Sequence, residues 1–475
     1  MTTPNNASIG PQLSPAATYK LEARALLKLT WPMLIAQLAQ MGTGVVDTIM
    51  AGRYSAIDLA AIAIGYNVWL PVYLFVLGMM LATTSIVAQD FGAGRIQRIV
   101  NLLPQSLWLA LALGLIAAPL CYFSEPLLAL LDLDGETQHK SLAYLQATAF
   151  GMPAAAIFQA LRCHIQGLGI MRPFAIASVI GFLANIPLNY AFIYGVWGAP
   201  EMGAAGCGWA TAISMWLGPV LIFFYMGRAD KLKPYLPPLK FVAPQWQTLM
   251  EIVTLGLPIA LTFFLEVAVF SIIGLLIATL GNTAMAAHQI ALTVWDVVFI
   301  PLMSVAAAMT TRIGHAIGSG DKEAVRRAIL CGTAITIVFG ILILLALWAS
   351  PATVVRAFTQ DPEIHAIAIL LLRMAAFFVV LDAIEVAAAA TLRAFKDTRF
   401  PFIVMTLAYW LIALPLGYWL GIVSTSDPTQ GTIGFWKAMI TGIGVAAILV
   451  VWRQKKLLAR PLPHTDDPPT QASLS

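Results

Sequence analysis

The chain has 475 residues, of which 60% are hydrophobic and only 11% charged, with a net charge of +4. Soluble domains carry roughly 25% charged residues, so this composition excludes an ordinary soluble enzyme or binding module. The positive balance is small and scattered, which gives no basis for a nucleic-acid partner.

Residues 1–20 read as a polar tail, without the positive n-region or apolar core of a cleaved signal. Apolar segments then follow at about 25–50, 59–88, 100–123, 139–165, 173–197 and 204–227. A stretch rich in Lys and Pro, 228–245, separates them from a second set at about 251–279, 285–313, 326–350, 362–392, 400–423 and 432–453. A spanning helix needs ~20 mostly apolar residues, so each segment is long enough to cross a bilayer. The expected fold class is an all-α integral membrane protein of twelve helices. Its amino-terminal lobe is 21–227 and its carboxy-terminal lobe 246–453, followed by a Pro-rich tail, 454–475. With an even number of spans both ends lie on one side. That side carries 22 of the 27 basic residues, which puts both termini in the cytoplasm by the positive-inside rule. The loop SEPLLALLDLDGETQHK, with its acids, falls outside.

The two halves are copies. Pro32 in LTWPMLIAQ and Pro258 in LGLPIALTF are 226 residues apart, and the same offset pairs Trp69 with Trp295 and Gly92-Ala93-Gly94 with Gly318-Ser319-Gly320. Pro173 and Pro187 match Pro401 and Pro415 at an offset of 228. Six spans per copy is an even number, so the copies are parallel repeats with a cavity between two lobes.

Five carboxylates, Asp47, Glu266, Asp296, Asp382 and Glu385, lie inside these apolar runs. An ionised acid at the bilayer centre costs ~2.5–3.5 kcal/mol on insertion scales, so acids kept there usually bind a cation or a proton. Arg373 is the one basic residue read as mid-membrane, too few to pair with them all. Asp382 and Glu385, at i and i+3, share a helix face, as do Asn185 and Asn189 at i and i+4. Against this stand plainer readings. Asp47 can be a helix-end acid reaching water, and the asparagines can be interhelical glue. Tyr190, Phe263, Phe264 and Trp295, near the acids, and Gln40 are pocket candidates, although most aromatics in such a chain pack or face lipid. His288 and Gln289 read as interfacial. GAG (92–94) and GSG (318–320) lack a following GK[ST] and read as helix caps, so no ATP site appears. Cys121, Cys163, Cys207 and Cys331 are too dispersed for a metal cluster and read as reduced, buried apolar residues.

The segments WPMLIAQLAQMGTGVVDTIMAG, NIPLNYAFIYG, FFLEVAVF, MAAHQIAL and LDAIEVAAAATLRAFKDTRFP together resemble the multidrug and toxic compound extrusion (MATE) family, nearest its bacterial NorM-like branch. The likeness runs from about Leu21 to Trp452. It implies a monomeric antiporter in the bacterial inner membrane, exporting organic cations and amphiphilic drugs in exchange for inflowing H+ or Na+, with no other cofactor. Asp47, Asn185 and Asn189 match the polar group of the amino-terminal lobe. Glu266 and Asp382 match the acids that bind the coupling ion, Na+ in some relatives. Where sodium-coupled relatives carry a tyrosine one turn before the tenth-helix acid, this chain has Phe378. Phenylalanine offers no oxygen, which favours the proton. The competing class is a flippase for lipid or lipid-linked oligosaccharide with the same two lobes. Such a protein would need several basic residues in the cavity.

Overall fold

The long apolar runs are helices, each opened and closed by local chemistry. The computed structural model describes residues 15–131, 133–237 and 242–462. The polar tail up to residue 14, Asp132 of the acidic loop, Lys240 within the inter-lobe stretch and the tail from 463 lie outside the described residues. The amino-terminal lobe comprises α1 (Pro15–Tyr54), α2 (Ala56–Gly92), α3 (Ile96–Tyr122), the short α4 (Glu125–Ala129), α5 (Gly135–Ala149), α6 (Met152–Gly167), α7 (Arg172–Tyr194) and α8 (Ala204–Arg228). The carboxy-terminal lobe comprises α9 (Trp246–Ala278), α10 (Asn282–Gly318), α11 (Lys322–Ala349), the short α12 (Pro351–Arg356), α13 (Pro362–Ala394), α14 (Arg399–Thr406), α15 (Leu414–Tyr418) and α16 (Pro428–Leu458). No strand occurs among the described residues.

Eleven stretches are long and apolar enough to cross a membrane. The α5–α6 pair, bent by 45° at its break, makes a twelfth when taken as one span. The sequence reading treated 139–165 as a single helix; the break falls at Phe150-Gly151, just before Pro153. Two boundaries also shift. Pro15–Lys20, read as tail, is already helical in α1, and α16 continues past residue 453 to Leu458.

Side-chain caps fix the starts. Ser55 accepts from the N–H groups of Ile57 and Asp58 to open α2, and Asp134, Asp321, Asp361 and Asp427 do the same for α5, α11, α13 and α16. The eleventh span, 399–423, is less regular. The segments Leu407–Ala413 and Trp419–Val423, on either side of α15, are π-helical. Pro415, with no N–H and a ring that crowds the preceding turn, forces the register to widen there.

The lobes meet through α1 and α2 on one side and α9 and α10 on the other. Their cross-lobe contacts gather at the end of the bundle where α1 starts and α16 stops. Arg312 forms a bidentate pair with Glu22 (2.9 and 2.6 Å), Gln89 Nε2 donates to the Ala394 carbonyl (2.7 Å), and His315 Nε2 lies 2.7 Å from the Gly167 carbonyl. The GAG and GSG triplets do end helices, with Gly94 and Gly320 at φ +69° and +73°. They also form the seam between lobes, which a capping role alone does not require. A Cβ on Gly92 would fall 2.0 Å from the His315 carbonyl oxygen, and one on Gly318 equally close to that of Gln89. Gly92→Ala is therefore expected to open the seam. A cysteine placed at Gln89, in a chain freed of its native cysteines, should become several-fold more reactive to maleimide; unchanged labelling would show that the seam has slack.

Candidate functional site

Each lobe holds acids within its spans, Asp47 in the first lobe and a group of three in the second (Glu266, Asp382 and Glu385), at positions that the internal repeat does not pair. In the amino-terminal lobe Asp47 lies in the interior of α1, which continues to Tyr54, and its side chain is only 6% exposed. This removes the helix-end reading. Asn189 of α7 donates to Asp47 Oδ1 (2.5 Å) and to Asn185 Oδ1 (2.8 Å). Thr211 of α8 donates to Asp47 Oδ2 (3.2 Å). Both carboxylate oxygens thus have a neutral donor. Asn185 and Asn189 are fully buried, and their i, i+4 spacing on α7 turns them to α1. Asn185 Nδ2 and Asn189 Oδ1 remain buried without a partner. Thr211 was not foreseen, because one threonine in an apolar span carries no signal of its own.

In the carboxy-terminal lobe Glu266 of α9 and Asp382 and Glu385 of α13 line one cavity of about 60 Å³. Phe263, Thr262, Phe299 and Arg393 complete part of its wall. Asp382 and Glu385 are buried at 4% and 5% exposure. In contrast to Asp47, this group has few donors: Asp382 Oδ2 makes no hydrogen bond of good geometry, and the one donor among the described residues that approaches the carboxyl is the indole N–H of Trp295, itself without a well-formed bond. Glu385 is near enough to Glu266 and Asp382 to repel both. Its counter-charge is Arg393, two helical turns further along α13. From the sequence, Arg393 is expected on the cytoplasmic face and Arg373 is the expected mid-membrane cation. Arg373 instead points outward over the Trp348 ring (5.6 Å). Arg162, also assigned to that face, is buried against Phe174 (4.5 Å) and donates to Gln159 (2.9 Å).

The other expected residues divide. Trp295 stacks on Phe299 (5.1 Å) and meets the edge of Phe378 (5.9 Å), so both belong to the acid cluster. Asp296 is exposed and does not line that cavity, and Tyr66 of α2, in the other lobe, lies within its electrostatic reach. Tyr190 and Phe264, 45% and 44% exposed, do not line the cavity. Tyr190 packs on Tyr194 and Trp197. Gln40 is half-buried at the repeat position of Glu266, with no acid in the first copy. His288 is not interfacial: it is fully buried and accepts the Trp436 indole N–H at Nδ1 (3.2 Å). The four cysteines are free and buried, as expected. No cluster of His, Cys, Asp and Glu suited to a metal ion occurs among the described residues.

The family model MatE matches residues 32–191 and again 258–419, two copies whose starts are 226 residues apart, which is the internal repeat. The chain belongs to the MatE family. The multidrug resistance protein MdtK of Yersinia pseudotuberculosis serotype O:1b (strain IP 31758) is 38% identical over 444 residues, covering 93% of this chain and 97% of that protein. MdtK of Photorhabdus laumondii subsp. laumondii is 39% identical over 443 residues, 92% and 97%. Among solved structures, the eukaryotic MATE transporter AtDTX14 superposes with a TM-score of 0.84 at 18% identity, over 93% of this chain and 98% of that one. An outward-facing multidrug resistance MATE family transporter of the MOP superfamily gives 0.82 at 22%, over 92% and 96%. At those identities the likeness carries the fold: two lobes in a multi-pass membrane protein. As a MatE member the chain is a transporter rather than an enzyme.

Proposed function

We propose that this MatE transporter is a multidrug efflux antiporter, exporting organic cations and amphiphilic drugs in exchange for inflowing protons. The observation that carries this reading is the cavity of the carboxy-terminal lobe. Glu266 and Asp382 share it with only Arg393 as a cation, and Asp382 keeps an oxygen without a well-formed hydrogen bond. Unpaired carboxylates in a bilayer protein invite a proton or a cation. The MdtK relatives, named for multidrug resistance, support the substrate class.

In the cycle, an entering proton neutralises Glu266 or Asp382 with the lobes open outward. The neutral acid loses its attraction for a cationic drug, which leaves, and the lobes rock inward. The proton then dissociates inside, and drug rebinds. Each proton supplies ~1.4 kcal/mol per pH unit and ~2.3 kcal/mol per 100 mV of membrane potential. The protein would sit in the bacterial inner membrane with both termini cytoplasmic, which makes the closed seam the inner gate, and one copy would carry both lobes of the site. Phe378, fully buried beside Trp295, places no oxygen against Asp382, and this favours H+ over Na+.

The test is efflux of a fluorescent organic cation from proteoliposomes under an imposed pH gradient and, separately, an imposed sodium gradient. Transport with the pH gradient alone is expected. Transport with sodium alone would reverse the choice of ion. Transport with neither would remove the antiport reading and leave the flippase.

A further inference from the structure

Near Glu266 lies one oxygen that the coupling cycle above does not use. Tyr409 sits in the π-helical turn Leu407–Ala413, and its side chain is 2% exposed. Its hydroxyl is buried with no hydrogen-bond partner among the described residues. A buried phenol normally finds a partner, since desolvating a hydroxyl without one is costly. The neighbour after it in sequence anchors the turn: Trp410 Nε1 donates to the carbonyl of Leu265 (3.2 Å), the residue before Glu266. Glu266, Tyr409 and Thr262 then line a common cleft. Glu266, Asp382 and Glu385 are all within electrostatic range of the phenol. Its ring packs on Phe270 (5.6 Å), which packs on Trp295 (5.4 Å), so the phenol is held by the same aromatic wall as the acid group.

The internal repeat gives independent support. The helix that holds Tyr409 corresponds, at the offset of 228, to α7 of the first lobe. There the neutral polar groups Asn185 and Asn189 serve Asp47. In both lobes this helix places a neutral polar side chain near an acid on the lobe's first helix, although at different positions, since Tyr409 aligns with Gly181 of the first copy.

We propose that Tyr409 is a further member of the ion-coupling site, supplying the neutral oxygen that Phe378 does not. A phenol donates to an ionised carboxylate, accepts from a protonated one, or turns a lone pair to a bound Na+. It can serve either ion, so with Tyr409 in the site the lack of an oxygen at Phe378 no longer decides between H+ and Na+, and the two series below do. Besides Tyr409, the titratable and charged groups facing this site are Glu266, Asp382, Glu385 and Arg393.

The proposal rests on the antiport reading, so wild type, Glu266→Gln and Tyr409→Phe are compared in the same proteoliposomes. Efflux of ethidium is measured against external pH and, in a second series, against sodium. Loss of one hydrogen bond to a charged group should weaken the apparent affinity for the driving ion by about tenfold in Tyr409→Phe. The apparent affinity for ethidium should hold within about twofold, because the ring and its packing are retained. The shift in thermal midpoint produced by the ion should shrink in parallel. Ion affinity unchanged in Tyr409→Phe, or a matched loss of ion affinity, ethidium affinity and thermal stability, would overturn the role. Normal ion dependence in Glu266→Gln would instead overturn the antiport reading beneath it.

Discussion

Glu266→Gln and Asp382→Asn are each expected to end ion-driven efflux while leaving the chain folded and inserted. The amides keep shape and volume but cannot take up and release a proton. For a group that must exchange one in every cycle, the loss is of the order of 10²-fold or more. A purely structural acid makes the opposite prediction. Removing one partner of a satisfied buried pair leaves an orphan charge and costs stability. Glu266 has no ion pair among those seen in the described residues, and Asp382 keeps an oxygen without a well-formed hydrogen bond beside Glu385. Neutralising either relieves repulsion, so the thermal midpoint should hold or rise. Drug susceptibility, proteoliposome efflux and thermal unfolding together separate the cases. Normal resistance in cells carrying either amide, at equal expression, would sink the assignment of that residue.

The acids were legible in the sequence because charge inside a long apolar run is rare and costly. No neighbour is needed to notice Glu266 in FFLEVAVF or Asp382 in LDAIEVA. The repeat was legible for a similar reason, since prolines and glycine triplets recur at a fixed offset. Neutral oxygens carry no such signature. Thr211 and Tyr409 resemble other threonines and tyrosines in membrane helices until the fold sets one against Asp47 and the other beside Glu266. Tyr409 also depends on a π-helical turn, whose position is decided by Pro415 and by the Trp410 anchor rather than by periodicity. Counting basic residues by face assigns Arg162 and Arg393 to a surface, whereas the fold turns both side chains inward. Both lie near helix ends, where a shift of one turn separates the surface from the interior.

The triplets GAG and GSG show the same limit from another side. Their capping geometry is local and readable, whereas their contact across the lobes is a property of the assembled bundle. In the antiport cycle proposed above that contact makes the terminal end of the bundle a gate, and the charges around it yield the second large expected effect. Glu251 at the start of α9 receives Arg98 of the other lobe (2.7 Å) and Lys396 of its own (3.2 Å). Arg98 and Arg95 also pair with the buried Asp90 (3.3 and 3.5 Å). Lys396 is held at φ +61°, a conformation unusual for a residue with a Cβ, with its N–H on the Arg393 carbonyl (3.0 Å). Glu251→Lys would leave Asp90 as the sole acid of this cluster, facing Arg95, Arg98, Lys396 and the new lysine. Each partly exposed pair contributes about 1 kcal/mol at most. Only the Arg98 pair crosses between lobes, so turning that attraction into a repulsion shifts the gate by about 1–2 kcal/mol, or about 5- to 30-fold in its equilibrium. Labelling of a cysteine at Gln89 should rise, and efflux should fall several-fold because this end of the bundle no longer stays shut. Adding Lys396→Glu restores the charge balance at the same positions and should recover both readouts. One molar salt should narrow the gap between the variants, since the Debye length shrinks to about 3 Å. Unchanged labelling in Glu251→Lys would mean that the glycine seam alone holds the lobes together. In that case the charges would serve the fold of each lobe and not the gate.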